Sequence, residues 1–300
     1  MYLSYSGYAL LIDCLRAYYF QYILKPVLTK PDNRVHMLYG DVVGKIFEAF
    51  YTEALWKNNT TSSMLDRVKP TLQKVITNET KRGGTFDWKD PDLKKNGPHS
   101  IQEVEADIRE AIPRGLRSVR HHRLLSLDAK AEVVLDSMVD GHKLAGRADL
   151  VMKRLKPTND AIIIDGKGSR WRDKYTNHRQ LRWYALLHWI KFGFIPDKLG
   201  FLYWRFEPEE SLDWSTVTPE ALTELKIAAL EAIATVEKAN RDILQGAEPF
   251  AVFPASPGQG CKLCRYRELC PEGQRALSQA AKDEMKSDML RGVEDGEVSF

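Results

Sequence analysis

Four apolar residues, Ala161-Ile162-Ile163-Ile164, run without a break into Asp165-Gly166-Lys167. A short, uninterrupted run rich in β-branched residues is the pattern of a buried strand, and here it ends in two opposite charges. The flanking sequence supplies neighbours for such a strand. Ala131-Glu132-Val133-Val134-Leu135 and Lys143 to Met152 read as strands, with Asp140-Gly141 between them as a hairpin turn. Phe201 to Phe206 reads as another strand after the Gly193 and Pro196 breaks. With the helix expected from Thr176 to Phe192, the order is β-β-β-α-β.

The remaining periodicity is helical. Ser6 can cap a helix to about Tyr22, placing Leu11, Cys14, Leu15 and Tyr18 on one inward face. Further helices are expected at Val35 to Trp56, Ser63 to Asn78, Ile101 to Arg123 and Pro219 to Leu244. Residues 80–100 contain Gly83-Gly84, Pro91, Gly97 and Pro98, which break any period and predict a substrate-facing loop. The charge-rich residues 282–300 are expected to fray.

A chain of 300 residues with 43% hydrophobic and 28% charged residues can bury one large core or two modest ones. No apolar run is long enough to span a bilayer, and the start lacks the regions of a signal peptide, so a cytoplasmic address is expected. The formal charge of +3 does not by itself identify a nucleic-acid binder.

Asp149 closes Gly146-Arg147-Ala148-Asp149, with fifteen residues between it and Asp165, as a hairpin allows. Two convergent carboxylates hold a hard divalent cation through oxygen, and the Gly166 carbonyl can add a ligand. Lys167 emerges on the face of Asp165, beside the ion and its water, where it can orient the nucleophile. Phosphodiester hydrolysis needs this minimum: a metal-acidified water and a cation to meet charge building at phosphorus. An exposed ion-pair set would satisfy the same three residues, and the spacing alone fits both readings.

Three of the four cysteines form Cys261-x₂-Cys264-x₅-Cys270, and Cys14 lies far upstream. Structural disulfides are disfavoured in a reducing compartment, so the thiolates suit an iron-sulfur cluster or zinc. After Lys167, Arg170-Trp171-Arg172 and Lys174-Tyr175 alternate cations with rings, a pattern that pairs phosphates and stacks bases. Arg114, Arg117, Arg120 and Arg123 form a second basic stretch, which would also suit a helix end without any ligand.

Taken together, Gly146 to Asp149, Ile162 to Lys167, and Gln180-x₃-Tyr184 resemble the RecB-like branch of the PD-(D/E)XK nuclease superfamily. One amino-terminal and three carboxy-terminal cysteines resemble the 4Fe-4S staple of AddB-type nucleases and the related CRISPR adaptation nucleases, although Leu15 stands where proline is common. The resemblance implies catalytic Asp149, Asp165, Lys167, Gln180 and Tyr184, and metal ligands Asp149, Asp165 and Gly166. The cluster ligands would be Cys14, Cys261, Cys264 and Cys270. The family's G-x-x-x-H helix corresponds to Gly40 to Gly44, with glycine at the histidine position. Glu48, one turn on, is the expected substitute ligand; a solvated surface acid is the plain alternative.

The fold so implied is α/β, a restriction-endonuclease-like mixed β-sheet flanked by helices, with a helical amino-terminal part and an iron-sulfur cap. The expected parts are 1–125 (helical), 126–245 (nuclease core), 246–285 (cap) and 286–300 (tail), one unit with Cys14 joined to the cap. The expected function is a Mg²⁺- or Mn²⁺-dependent DNA nuclease acting on single strands or ends, in recombination, repair, replication or spacer acquisition, with a helicase or recombination partner. A cleavage-inactive DNA-binding protein of the same fold and a zinc-stapled partner-binding protein are the rival expectations.

Overall fold

A computed structural model describes residues 1–28, 33–57, 60–89, 97–125, 129–153, 161–172, 178–258, 260, 261, 264–276, 278 and 279. The chain groups into two units interleaved in sequence, Met1–Tyr5 with Pro31–Ala228, and Ser6–Lys30 with Ala229–Phe300. Among the described residues, no helix is long and apolar enough to cross a membrane.

The strands are β1 (Tyr2–Ser4), β2 (Lys130–Val134), β3 (Ser137–Val139), β4 (His142–Ala145), β5 (Arg147–Lys153), β6 (Ala161–Lys167), β7 (Lys198–Tyr203) and β8 (Leu212–Ser215). A five-stranded sheet runs in the order β2-β5-β6-β7-β8. It is mixed: β6 and β7 are parallel, and the other neighbours are antiparallel. The apolar run of β6 takes the centre, where both faces are covered, and Ala161 through Asp165 are all buried. On one face Leu150, Met152, Ile162, Ile164 and Leu202 pack in a core with α3 (Val35–Thr52), α4 (Thr60–Asp66), α5 (Val68–Lys81) and α6 (Ile101–His121). Alternate residues along β5 and β6 face the other side, and there α7 (Arg179–Phe192) packs against β6 and β7.

Several sequence expectations shift here. The single strand from Lys143 to Met152 is two, divided at Gly146. β4 pairs with β1 and β3 in a separate three-stranded sheet, while β5 enters the large one. Asp140 and Gly141, both at positive φ, do form a tight turn, but it joins β3 to β4. The strand expected at Phe201 to Phe206 lies three residues earlier, because Trp204 to Phe206 turn away after β7. One helix between Ser63 and Asn78 becomes α4 and α5, interrupted at Arg67.

The second unit contains α1 (Tyr5–Asp13), α2 (Leu15–Tyr18), a π-helical turn (Tyr19–Leu24), most of α8 (Pro219–Leu244) and α9 (Pro249–Val252). α8 has the bounds that the periodicity predicts. The first expected helix, by contrast, breaks at Cys14, whose backbone is extended at φ −165 and ψ 109. Tyr19 stacks on Phe253 with centroids 5.1 Å apart, and Phe20 packs on Tyr266 at 5.4 Å. Buried Arg16 adds polar ties: Nε donates to the Phe253 carbonyl at 2.7 Å and Nη2 to that of Phe250 at 2.8 Å. Its Nη1 pairs with Glu272 at 3.1 Å. Nothing in the sequence pattern marked this arginine as interior.

Candidate active site

Antiparallel pairing sets Leu150 opposite Ile164, so the next step of the register sets Asp149 opposite Asp165. Asp149 therefore lies within β5 rather than at its end, and the two acids meet because β5 enters the sheet where β6 leaves it. Asp149 Oδ2 accepts from the Gly166 N–H at 2.8 Å. Asp165 is 2% exposed, and its Oδ2 is ion-paired with Lys167 Nζ.

One turn of α7 completes the arrangement. Gln180 Oε1 accepts from Lys167 Nζ at 2.7 Å, while its Nε2 donates to Asp165 Oδ1 at 3.1 Å and to Tyr184 Oη at 2.8 Å. Tyr184 in turn hydrogen-bonds Asp165. The i, i+4 spacing lets both side chains reach β6 from one helix face. An amphipathic helix with a merely buried tyrosine would not require Gln180 to bridge three polar groups. Lys167 Nζ also lies 4.9 Å from the centre of the Phe201 ring.

Electrostatics mark the site as costly to keep without a ligand. Burial, then the charge of Asp165, pushes Asp149 up to about 8. Burial likewise raises Asp165, with Lys167 opposing the shift. Tyr184 is raised by burial and by Asp165. Two carboxyls forced together out of water hold protons unless a cation replaces them.

Glu132 joins the acids from the neighbouring strand, β2. Ala131 pairs with Leu150 and Val133 with Ala148, which puts Glu132 across from Asp149 on the next strand. Its φ of 52 is in the left-handed region, strained for a residue with a side chain. Its carboxylate takes Arg147 Nη1 at 3.1 Å and contributes to the raised values of Asp149, Asp165 and Tyr184. No sequence period announces such a backbone conformation.

Glu48, the expected substitute ligand, pairs with a neighbouring lysine on its own helix. It sits on α3, in the layer against the opposite face, with Oε2 4.0 Å from Lys45 Nζ. Gly44, at the histidine position, faces open space. Gly166 has a packing reason for being glycine, since a Cβ there would come 2.8 Å from the Trp204 indole. That indole stacks on Phe47 of α3 with centroids 4.1 Å apart.

Beyond Lys167, Trp171 is exposed and its N–H and carbonyl both bond the Ser169 hydroxyl. Arg170 pairs with Asp107 on α6 at 3.1 Å, and the Arg172 guanidinium lies 5.6 Å from the Tyr203 ring. Lys174 and Tyr175 lie outside the described residues.

In the second unit, Cys14, Cys261, Cys264 and Cys270 line one cavity, with Ser256 and Tyr266 among its walls. The Ser256 N–H points at Cys14 Sγ and the Gly258 N–H at Cys261 Sγ, each at 3.5 Å. Burial raises the thiols of Cys264 and Cys270; Cys14, Cys261 and Cys270 add to the first shift, and Glu272 and Cys14 to the second. The extended backbone at Cys14, which breaks the expected helix, belongs to this arrangement. Among the described residues, no three His, Cys, Asp or Glu side chains are grouped as the ligands of a single metal ion.

The family model described as the PD-(D/E)XK nuclease superfamily matches residues 2–271. Among solved structures, a proposed exonuclease from Eubacterium rectale is 13% identical with a TM-score of 0.44, over 82% of this chain and 83% of that one. A protein designated SSO0001 is 21% identical with a TM-score of 0.30, over 58% of this chain and 75% of that one. No curated protein matches the sequence.

Proposed function

The chain belongs to the PD-(D/E)XK nuclease superfamily, and from that premise we propose that it is a metal-dependent deoxyribonuclease acting on single strands or DNA ends. The observation that carries this reading is the register of β5 on β6, which sets Asp149 opposite Asp165 beside Lys167 and Gln180. An oxygen-only donor pair, desolvated and raised in pKa, fits a hard cation. Asp149 and Asp165 would hold Mg²⁺ or Mn²⁺ with the Gly166 carbonyl as a further donor, and the ion when bound supplies an acidified water and Lewis acidity at the phosphate.

The chain's own groups do the rest. Lys167 places a cation beside Asp165, where it offsets charge building on the phosphoryl oxygens. Gln180 and Tyr184 are positioning residues: by bridging Lys167 and Asp165 they hold amine and acid in one orientation. Trp171 and Arg172, with Arg170, Lys174 and Tyr175, would stack and pair the strand leaving the site.

The second unit is assigned a 4Fe-4S cluster on Cys14, Cys261, Cys264 and Cys270, supported by four thiols on one cavity and by N–H groups aimed at two of the sulfurs. Its role is to tie residues near the amino terminus to the carboxy-terminal segment, a closure of about 250 residues. Processing of DNA in recombination, repair, replication or spacer acquisition, alongside a helicase partner, is the cellular context this reading carries.

End-labelled single- and double-stranded DNA, incubated with Mg²⁺ or Mn²⁺, tests the activity. Wild type is expected to release short products only with metal, and Asp165→Asn to release none. Cleavage by Asp165→Asn at the wild-type rate would sink the assignment. Iron, acid-labile sulfide and zinc measured on the anaerobically purified full chain test the cluster, with about four irons per chain expected; stoichiometric zinc without sulfide rejects it.

A further inference from the structure

Four arginines from three separate segments meet in the first unit. Arg114 and Arg117 stand on α6, Arg170 follows β6 and Arg205 follows β7. Two carboxylates hold them. Asp107 Oδ2 takes Arg170 Nη2 at 3.1 Å and Arg205 Nη1 at 3.0 Å. Glu207 takes Arg114 Nε at 3.1 Å and Arg117 Nη2 at 2.9 Å. Asp107 and Arg117 lie ten residues apart on α6, about 15 Å of helix. The guanidiniums thus form a line, outnumber the acids two to one, and begin three residues past Lys167.

The inner part of this line is rigid. Arg205 Nε donates to the Gly168 carbonyl at 3.0 Å, and its guanidinium lies 3.4 Å over the Tyr39 ring. Gly168 itself presses on α3: a Cβ there would come 2.8 Å from Gly40 Cα. The outer part is open, for the side chains of Arg117, Arg170 and Glu207 are 53%, 47% and 57% exposed. Ion pairs this exposed add little to folding, so stability does not account for gathering four like charges on one face. A carboxylate and a phosphate offer guanidinium the same paired oxygens.

We propose that Asp107 and Glu207 stand in for phosphates, and that Arg114, Arg117, Arg170 and Arg205 form the track on which the DNA backbone lies as it runs to the carboxylates. The track spans more than one phosphate and adjoins the metal-site lysine. DNA entering it displaces Glu207 from Arg114 and Arg117, so the acid competes with substrate. This inference rests on the nuclease reading for its ligand.

The test is anisotropy of a fluorescently labelled single-stranded oligodeoxynucleotide with the full chain, in EDTA, across a series of KCl concentrations. Arg117→Ala and Arg170→Ala are each expected to weaken binding several-fold and to reduce the slope of log affinity against log salt by about 0.7. Glu207→Gln is expected to tighten binding. Arg67→Ala, a cation paired to Glu53 elsewhere on the surface, should match wild type. Melting curves establish that each variant is folded. Unchanged slopes in both arginine variants, or weaker binding by a folded Glu207→Gln, overturn the track. Binding that follows these arginines without metal-dependent cleavage would reject the nuclease reading and keep the track; cleavage with arginine-independent binding would do the reverse.

Discussion

The acidic site of the first unit and the cysteine cavity of the second are assembled in opposite ways. Asp149, Asp165 and Lys167 come from adjacent strands within nineteen residues of sequence, and backbone hydrogen bonds of the sheet set their spacing. Gln180 and Tyr184 then lock the side chains from one helix. The cysteines come from segments more than two hundred residues apart, on short helices and loops, and side chains such as Arg16 do the joining. A site framed by a sheet keeps its geometry without a ligand, whereas a site framed by loops depends on what it holds. Loss of ligand should therefore cost the first region activity and the second region structure.

The largest effect expected from this contrast is on catalysis. Lys167→Ala removes the cation beside Asp165 and should lower the single-turnover cleavage rate by about 10²- to 10³-fold, with the melting of the second unit unchanged; a loss of less than tenfold would separate the lysine from the chemistry. Cys264→Ser should act the other way. Bound iron falls and residues 6–30 become open to limited proteolysis, while cleavage per folded molecule persists. Proteolysis as slow as in wild type would show that the thiols do not hold this unit together.

Arg16→Ala tests the same unit without touching a thiol. It leaves one buried and one part-buried carbonyl, and Glu272, without their partner, a loss of about 3 kcal/mol seen as a lower denaturation midpoint. An unchanged midpoint would transfer the joining role to the aromatic contacts of Tyr19, Phe20 and Phe253.

The smallest effect is on pH. Asp149 titrates near 4 when unfolded but is held at about 8 by burial and by Asp165. A carboxyl raised in this way favours the fold fully below about pH 4, and that contribution is lost as pH rises through about 8. In EDTA the first unit should melt progressively lower from pH 6 to pH 9, and Asp149→Asn should flatten the trend. Saturating Mn²⁺ should oppose it, because the ion binds the ionised pair. A rising melting temperature over that range in EDTA would reverse the sign argued here.

What could be read in the chain followed from local chemistry. β6 was recognisable because its unbroken β-branched run suits only an interior strand, and α8 because Pro219 opens an uninterrupted helical period. The DGK end of β6 and the spacing of Gln180 and Tyr184 name the reactive groups, since a period of two or four residues decides which side chains share a face. The break at Gly146 was not readable, because leaving one sheet for another depends on strands distant in sequence.

Cys14 and Glu132 likewise adopt backbone conformations that their neighbours in sequence do not favour and that only long-range contacts can sustain. The choice of Arg114, Arg117, Arg170 and Arg205 as companions was tertiary too. Sequence by itself determined the chemical types and the faces they occupy, through the rigid periods of strand and helix. Which of those faces meet was decided by packing, because that depends on how separate elements fill space together.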